Sequence, residues 1–188
     1  AAPDPVTCWR SDEIGGPATV TVEIDLSHLV EQAVELLASG RTAADLTPDD
    51  LPLGPAAEAI AQLNHDVMYG QGIRIVRGFP VSNLAVAELI FWRVGLEIGE
   101  PVSQSVMGDR LGHVIDMTDV DPNARAYRRS EELSPHTDPG DVLSFLCIRP
   151  ASEGGANHFV SSMTIYETMR RDHPELLERH IRGWRYHR

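Results

Sequence analysis

The sequence has few cysteines, no excess of positive charge and no long apolar run. Cys8 and Cys147 are the only cysteines in 188 residues, which excludes a disulfide framework and suits a reducing compartment such as the cytoplasm. The 16 basic residues against 28 acidic ones leave a formal net charge of −12. This balance argues against nucleic-acid binding, which needs a basic face. The apolar runs are too short to cross a bilayer, so no membrane association is expected.

The chain is long enough, and apolar enough, for one domain with a sizeable core. Its hydrophobic content is 42%, which excludes a disordered tail. The first residues show no basic segment followed by an apolar one, so no signal peptide is visible, and because the sequence does not begin with Met, trimming at its start is expected. We expect a single α+β domain over residues 1–188, helical over 27–98 and rich in β structure over 110–162.

Local patterns predict helices first and strands later. Helices are predicted at 28–38, 55–70, 82–98, 164–171 and 174–180. Strands are predicted at 19–25, 72–80, 112–120, 141–149 and 158–161. Ser82 is expected to cap the third helix, and Thr164 to form a capping box with Glu167. Residues 41–54 hold two Pro and three Asp, which predicts an exposed connection.

The most informative segment runs from Ser134 to Pro139, with the sequence Ser-Pro-His-Thr-Asp-Pro. On an extended backbone, residues two apart project to the same face, so His136 and Asp138 can offer a nitrogen and an oxygen to one ion. Two His and one carboxylate on one face of an octahedral iron leave positions open for oxygen chemistry. The pair supplies two thirds of that arrangement, and a role in metal binding is therefore a candidate.

A His followed two residues later by an acidic residue is a weak motif by itself, because chance gives about one match in such a chain. A second match, His173 and Glu175, flanks Pro174. Proline suits the first position of a helix and Glu favours its positive end, so this match is interpreted as structural. The first match instead lies between predicted strands, with proline on both sides.

The order of features after His136 resembles the taurine dioxygenase/TfdA-like family of iron(II)- and 2-oxoglutarate-dependent oxygenases. The shared features are the His-x-Asp pair, the apolar segment 141–149, Gly154-Gly155 before a further segment, a Ser-Ser helix start and the Pro-Glu-Leu-Leu helix at 174–177. The segment 72–80, with its Arg-Gly-Phe-Pro ending, is similar to an early strand of the family. The resemblance spans residues 72–180, over half of the chain.

The resemblance implies a double-stranded β-helix, a jelly-roll of the cupin type, flanked by helices. It implies that His136 and Asp138 bind iron and that Asn157 contacts a carboxylate of 2-oxoglutarate. It also implies that the region after the third helix lines the substrate cavity, where Gln104 is the best polar candidate. The residues alone leave a turn role open for Asn157 and an exposed-loop role open for Gln104.

The sequence departs from the family pattern near its end. The family takes a third ligand, a distal His, and an Arg for 2-oxoglutarate from strands that follow the Pro-Glu-Leu-Leu helix. His180 and His187 are not accepted as substitutes, because His180 suits a helix end and His187 lies at a chain end with little to anchor it. We expect the N-terminal portion of a longer oxygenase, with a β core that is incomplete at the C-terminus.

The leading hypothesis is an iron(II)- and 2-oxoglutarate-dependent dioxygenase that uses O2 to hydroxylate, desaturate or otherwise oxidise a C–H bond of a small organic substrate. The presence of Asp138 favours these outcomes over halogenation, because related halogenases carry a small residue at this position. Two alternatives stay open. One is a catalytically incomplete fragment or pseudoenzyme that binds a partner, either a second copy or the missing C-terminal part; the other is a cupin-like metal hydrolase or isomerase.

Overall fold

A computed structural model describes residues 6–105, 108–121, 128–129 and 132–183. Two strands are present, β1 (Thr21–Glu23) and β2 (Ile75–Arg77). The α-helices are α1 (Ser11–Ile14), α2 (Val30–Ala38), α3 (Ala57–Tyr69), α4 (Leu84–Ile98), α5 (Ser162–Asp172) and α6 (Pro174–Ile181). Short 3-10 turns lead into α2 and α3 at Ser27–Leu29 and Gly54–Ala56. No helix in these ranges is both long and apolar enough to cross a membrane.

The two strands form a parallel pair in which Val22 lies opposite Val76. One more hydrogen bond, from the Ile24 amide to the Arg77 carbonyl at 2.9 Å, extends the pairing. The backbones then converge: Gly78 has φ +102°, and a Cβ atom there would lie 2.1 Å from the carbonyl oxygen of Ile24. Both early strand predictions are confirmed at their centres, and both strands are shorter than predicted.

The first three predicted helices are confirmed, with small differences at their starts. The helix α4 is capped by Asn83, whose side-chain oxygen accepts from the Val86 amide at 3.3 Å, so the prediction of Ser82 as the cap is wrong. The helices α2, α3 and α4 pack together through their apolar faces. The buried cluster consists of Ile24, Leu26, Leu29, Ala33, Leu46, Leu51, Leu53, Ala56, Ile60, Leu63, Val86, Leu89, Ile90, Trp92 and Val94.

The connection at 41–54 is not simply exposed as predicted, because its leucines belong to the core. Leu46, Leu51 and Leu53 are buried, while the polar residues around them face solvent. Asp50 links three positions within the segment. Its carboxylate accepts from the Thr47 amide at 2.8 Å and from the Thr47 hydroxyl at 2.6 Å, and it forms an ion pair with Arg41. The bonds from Thr47 are the main reason why the pKa of Asp50 is lowered. The leucines anchor a segment whose composition alone suggests a loop.

The predicted β-rich half is not observed. The described residues of 110–162 contain no strand, so the strand predictions at 112–120, 141–149 and 158–161 are wrong for this structure. Apolar side chains of these segments face solvent, among them Phe145 with 66% of its surface exposed. Cys147 is exposed as well. A strand requires a neighbour for a ladder of backbone hydrogen bonds, and within the described chain these segments have only isolated bonds, such as that from the Met117 amide to the Arg128 carbonyl at 2.8 Å.

The last two helices form a pair that is anchored by the N-terminal segment. The helix α5 begins earlier than predicted, because Ser161 and not Thr164 caps it: the Ser161 hydroxyl accepts from the Thr164 amide at 3.1 Å. The Ser161 hydroxyl also donates to the Thr7 carbonyl at 2.6 Å, and the Thr164 hydroxyl donates to the Trp9 carbonyl at 2.7 Å. The helix α6 starts at Pro174, as the sequence predicts.

Candidate metal centre

The His136 and Asp138 side chains lie close together in a segment without helix or strand, between the helical core and α5. The Nδ1 atom of His136 lies 2.8 Å from the carbonyl oxygen of Ser134. A carbonyl only accepts, so Nδ1 carries the proton of this bond, and the lone pair of the neutral ring is on Nε2. That Nε2 lies 3.8 Å from Oδ2 of Asp138. The two predicted ligand atoms, Nε2 of His136 and Oδ2 of Asp138, are therefore close to each other.

This arrangement fits a divalent metal ion at two of its positions. A ligating His usually donates its other ring N–H to a carbonyl or carboxylate, and the Ser134 carbonyl is the acceptor here. Imidazole nitrogen and carboxylate oxygen together are the donors that suit Fe(II). The side chains of His136 and Asp138 are 53% and 46% exposed, so the pair is open to a ligand. Among the described residues, no third His, Cys, Asp or Glu completes a metal-binding group.

The second His-x-acid match provides an internal comparison. The Nδ1 atom of His173 lies 3.8 Å from Oε1 of Glu175, the same separation as in the first pair. His173 is the residue before the first turn of α6, and Pro174 occupies the first helical position. In the described part of the chain, no carbonyl orients the His173 ring. The distance between imidazole and carboxylate is the same in the two pairs; they differ in the bond between the His136 ring and the Ser134 carbonyl.

The other predicted site residues lie in exposed positions. Asn157 follows Gly154 and Gly155, both with positive φ of about 70°, and forms no hydrogen bond within the described ranges. The Gln104 side chain donates to the Val102 carbonyl at 3.1 Å. Neither residue is hydrogen-bonded to His136 or Asp138 in the part of the chain that the structure describes.

Among the described residues, His180 does not complete the centre. His180 lies in the last turn of α6, where a cation suits the helix dipole. It is not grouped with His136 and Asp138 in the described residues. His187 lies outside the described residues.

A cavity of about 420 Å³ between α4, the turn Ala43–Asp45 and the loop at 108–113 was missed by sequence reasoning. We name it the α4 cavity. Its lining residues are Thr42, Ala43, Ala44, Glu88, Trp92, Gly108, Asp109, Arg110, Leu111 and His113. The Nε2 atom of His113 lies 2.7 Å from Oε1 of Glu88, which fixes the loop to α4. This contact joins residues 25 apart in sequence, and no local pattern signals it.

Comparison with known proteins places the chain in a family. A family model described as "Taurine catabolism dioxygenase TauD, TfdA family" matches residues 36–188. The chain belongs to this family, and the resemblance found in the sequence is confirmed. Membership implies a cupin-like fold, although the double-stranded jelly-roll itself is not seen in the described residues.

Two named relatives are similar over nearly the whole chain. One is an FR-33289 synthase of Streptomyces rubellomurinus (strain ATCC 31215), 32% identical over 183 residues that are 93% of this chain and 54% of the relative. Another is the taurine hydroxylase-like protein SAT17 of Stachybotrys chartarum (strain CBS 109288 / IBT 7711), 24% identical over 193 residues, 94% of this chain and 49% of the relative. The chain thus spans about half the length of the relatives that it matches.

Proposed function

We propose that the chain carries part of the active site of an iron(II)- and 2-oxoglutarate-dependent dioxygenase that oxidises a C–H bond of a small organic substrate. The observation that supports this most directly is the His136 imidazole, turned by the Ser134 carbonyl so that Nε2 faces Asp138. Membership of a dioxygenase family supports the same class of reaction. The printed name of one relative, a taurine hydroxylase-like protein, agrees with hydroxylation as the outcome.

Each residue has a defined task in this proposal. His136 and Asp138 hold Fe(II), and the Ser134 carbonyl keeps the imidazole in the tautomer that can ligate. A bound Fe(II) would supply the oxidation, with O2 as oxidant and 2-oxoglutarate as the co-substrate that is decarboxylated to succinate and carbon dioxide. Asn157 donates its side-chain amide to a 2-oxoglutarate carboxylate, and Gln104 contacts the substrate. The third ligand, a His, and an Arg for 2-oxoglutarate come from outside the described residues, and activity depends on them.

An anaerobic titration of the full gene product with Fe(II) and 2-oxoglutarate tests this proposal. We expect the weak visible charge-transfer band of an iron–keto acid chelate. His136→Ala should abolish the band, whereas His173→Ala should leave it unchanged. His173 is a matched control, because it has the same separation from its own carboxylate. A full gene product without the band, or equal loss in both variants, would overturn the proposal.

An alternative is that the chain acts as a catalytically incomplete binding partner. Two observations favour it: only two metal-binding side chains meet in the described residues, and apolar side chains such as Phe145 and Phe159 are exposed. Oxygen-dependent production of succinate by the full gene product would exclude this alternative, and would equally exclude a cupin-like hydrolase or isomerase. A stable monomer that binds neither Fe(II) nor 2-oxoglutarate would favour it.

A further inference from the structure

The N-terminal segment Thr7–Trp9 joins two regions that are far apart in the sequence. The indole N–H of Trp9 donates to the Gln71 carbonyl at 2.9 Å, in the connection between α3 and β2. The carbonyl groups of Thr7 and Trp9 accept hydrogen bonds from the start of α5. We name this segment the N-terminal strap. It bridges the helical core and the last two helices of the described chain.

The N-terminal strap meets α5 through two hydroxyl groups. The Ser161 hydroxyl donates to the Thr7 carbonyl at 2.6 Å, and the Thr164 hydroxyl donates to the Trp9 carbonyl at 2.7 Å. Because the Ser161 hydroxyl also accepts from the Thr164 amide, the group that caps α5 holds the strap as well. Ser161 is 7% exposed and is the one buried residue described after Val94. Solvent is therefore largely excluded from this junction.

The helices α5 and α6 have little other attachment to the core. They pack on each other, and within the described ranges neither packs extensively against α2, α3 or α4. Neither helix contains a buried residue. With 11 and 8 residues they are also short, and isolated helices below about 12 residues are marginal in water. The position and the stability of this pair therefore depend on the strap.

We propose that the N-terminal strap holds the α5–α6 pair on the helical core, and that opening of the strap releases the pair while the core stays folded. Every buried apolar residue described lies between Val20 and Val94, so neither the strap nor the pair contributes to the core. Segments with few buried contacts open locally at low free energy. The inference is independent of the proposed function, because neither His136 nor Asp138 takes part in these contacts.

Hydrogen exchange of the 188-residue chain, compared with a variant that lacks residues 1–9, tests the proposal. Without the strap, amides of α5 and α6 are expected to exchange at least about tenfold faster, because the released helices are too short to keep their hydrogen bonds. Amides of α2, α3 and α4 should keep their rates. Unchanged exchange in α5 and α6, or an equal loss of protection in α2, α3 and α4, would overturn the inference.

A single-residue variant tests the same junction with less disturbance. Thr164→Val removes the hydroxyl that binds the Trp9 carbonyl but keeps a branched side chain, so exchange in α5 should become about fivefold faster, the usual effect of one hydrogen bond. Thr168→Val is the matched control: it makes the same change one turn further along α5, where no hydrogen bond to the strap is present in the described ranges. It should change these rates by less than about twofold. Equal effects of the two changes would contradict the proposal.

Cys8 reports on the strap itself. Its sulfur lies 3.7 Å from Oγ1 of Thr164 and the residue is half-buried, whereas Cys147 is exposed. In Thr164→Val, iodoacetamide should alkylate Cys8 faster than in the unchanged chain and Cys147 at the same rate, as followed by mass spectrometry of the two peptides. Faster alkylation of Cys8 without faster exchange in α5 would show that the strap opens without releasing the helices, and would overturn the inference. His136→Ala should alter none of these rates, so failure of the metal proposal is distinguishable from failure of this one.

Discussion

At the scale of single residues, Arg93 is a buried charged group that links two parts of the core. Its side chain lies in α4 and is almost fully buried, with 4% of the residue exposed. Its Nε donates to the Leu51 carbonyl at 2.8 Å, and one terminal nitrogen contacts Glu97 at 2.8 Å. The arginine therefore joins α4 to the connection at 41–54, whose leucines fill the core. A buried charge of this kind is tolerated only because hydrogen bonds and a carboxylate compensate it.

Arg93→Ala is expected to lower the free energy of unfolding by about 3 kcal/mol, because it leaves the Leu51 carbonyl without its donor and opens a space beside the core. Urea unfolding followed by circular dichroism measures the change. Arg170→Ala is the matched control: Arg170 also pairs with a carboxylate, that of Glu167 at 2.7 Å, but it is exposed on α5. We expect a loss of less than about 1 kcal/mol there. Equal losses of unfolding free energy in Arg93→Ala and Arg170→Ala would show that the burial of Arg93 contributes nothing to stability.

At the scale of elements, local signals predict the helices, whereas contacts between distant parts of the chain are not contained in any local signal. The helices α2, α3 and α4 could be predicted because apolar spacing and caps are contained within each segment. The proximity of His136 and Asp138 could be predicted because the two residues are only two positions apart. The contact between Glu88 and His113, the burial of Leu51 and the absence of strands at 141–149 depend on distant parts of the chain, and no local pattern contains them.

The junction of β1 and β2 offers a sharp test of backbone packing. Gly78 and Gly72 both have positive φ, of 102° and 76°, so alanine at either costs roughly 1–2 kcal/mol in backbone strain. At Gly78 the new Cβ would also meet the Ile24 carbonyl at 2.1 Å, whereas at Gly72 it would meet nothing within 4 Å. Gly78→Ala should therefore destabilise the protein by about 2 kcal/mol more than Gly72→Ala. Thermal unfolding of the two variants measures this difference. Similar losses of stability in both would contradict the close approach of Gly78 to the Ile24 carbonyl.

At the scale of the whole molecule, the described chain has a packed part, residues 20–94, and a part without α-helix or strand, the described residues of 99–161. Every buried apolar residue among those described lies between Val20 and Val94. His136 and Asp138 lie in the second of these parts, where the backbone forms no strand pair within the described ranges. This explains why the His136 ring is oriented through a bond to its own chain, from Nδ1 to the Ser134 carbonyl, and not through a packed neighbour.

Hydrogen exchange of the 188-residue chain should reveal this division directly. Amides of α2, α3 and α4 are expected to exchange several orders of magnitude more slowly than those at 141–149, because the helical hydrogen bonds open only with the core whereas the extended backbone is open to water. Mass spectrometry of peptides from both regions measures the difference within one sample, so each region is the control for the other. Strong protection at 141–149 would contradict the expectation and would mean that this segment pairs with a further strand in solution. In that event Phe145 and Leu143, exposed in the described chain, would be covered by that neighbour, and His136 and Asp138 would be held on a rigid sheet.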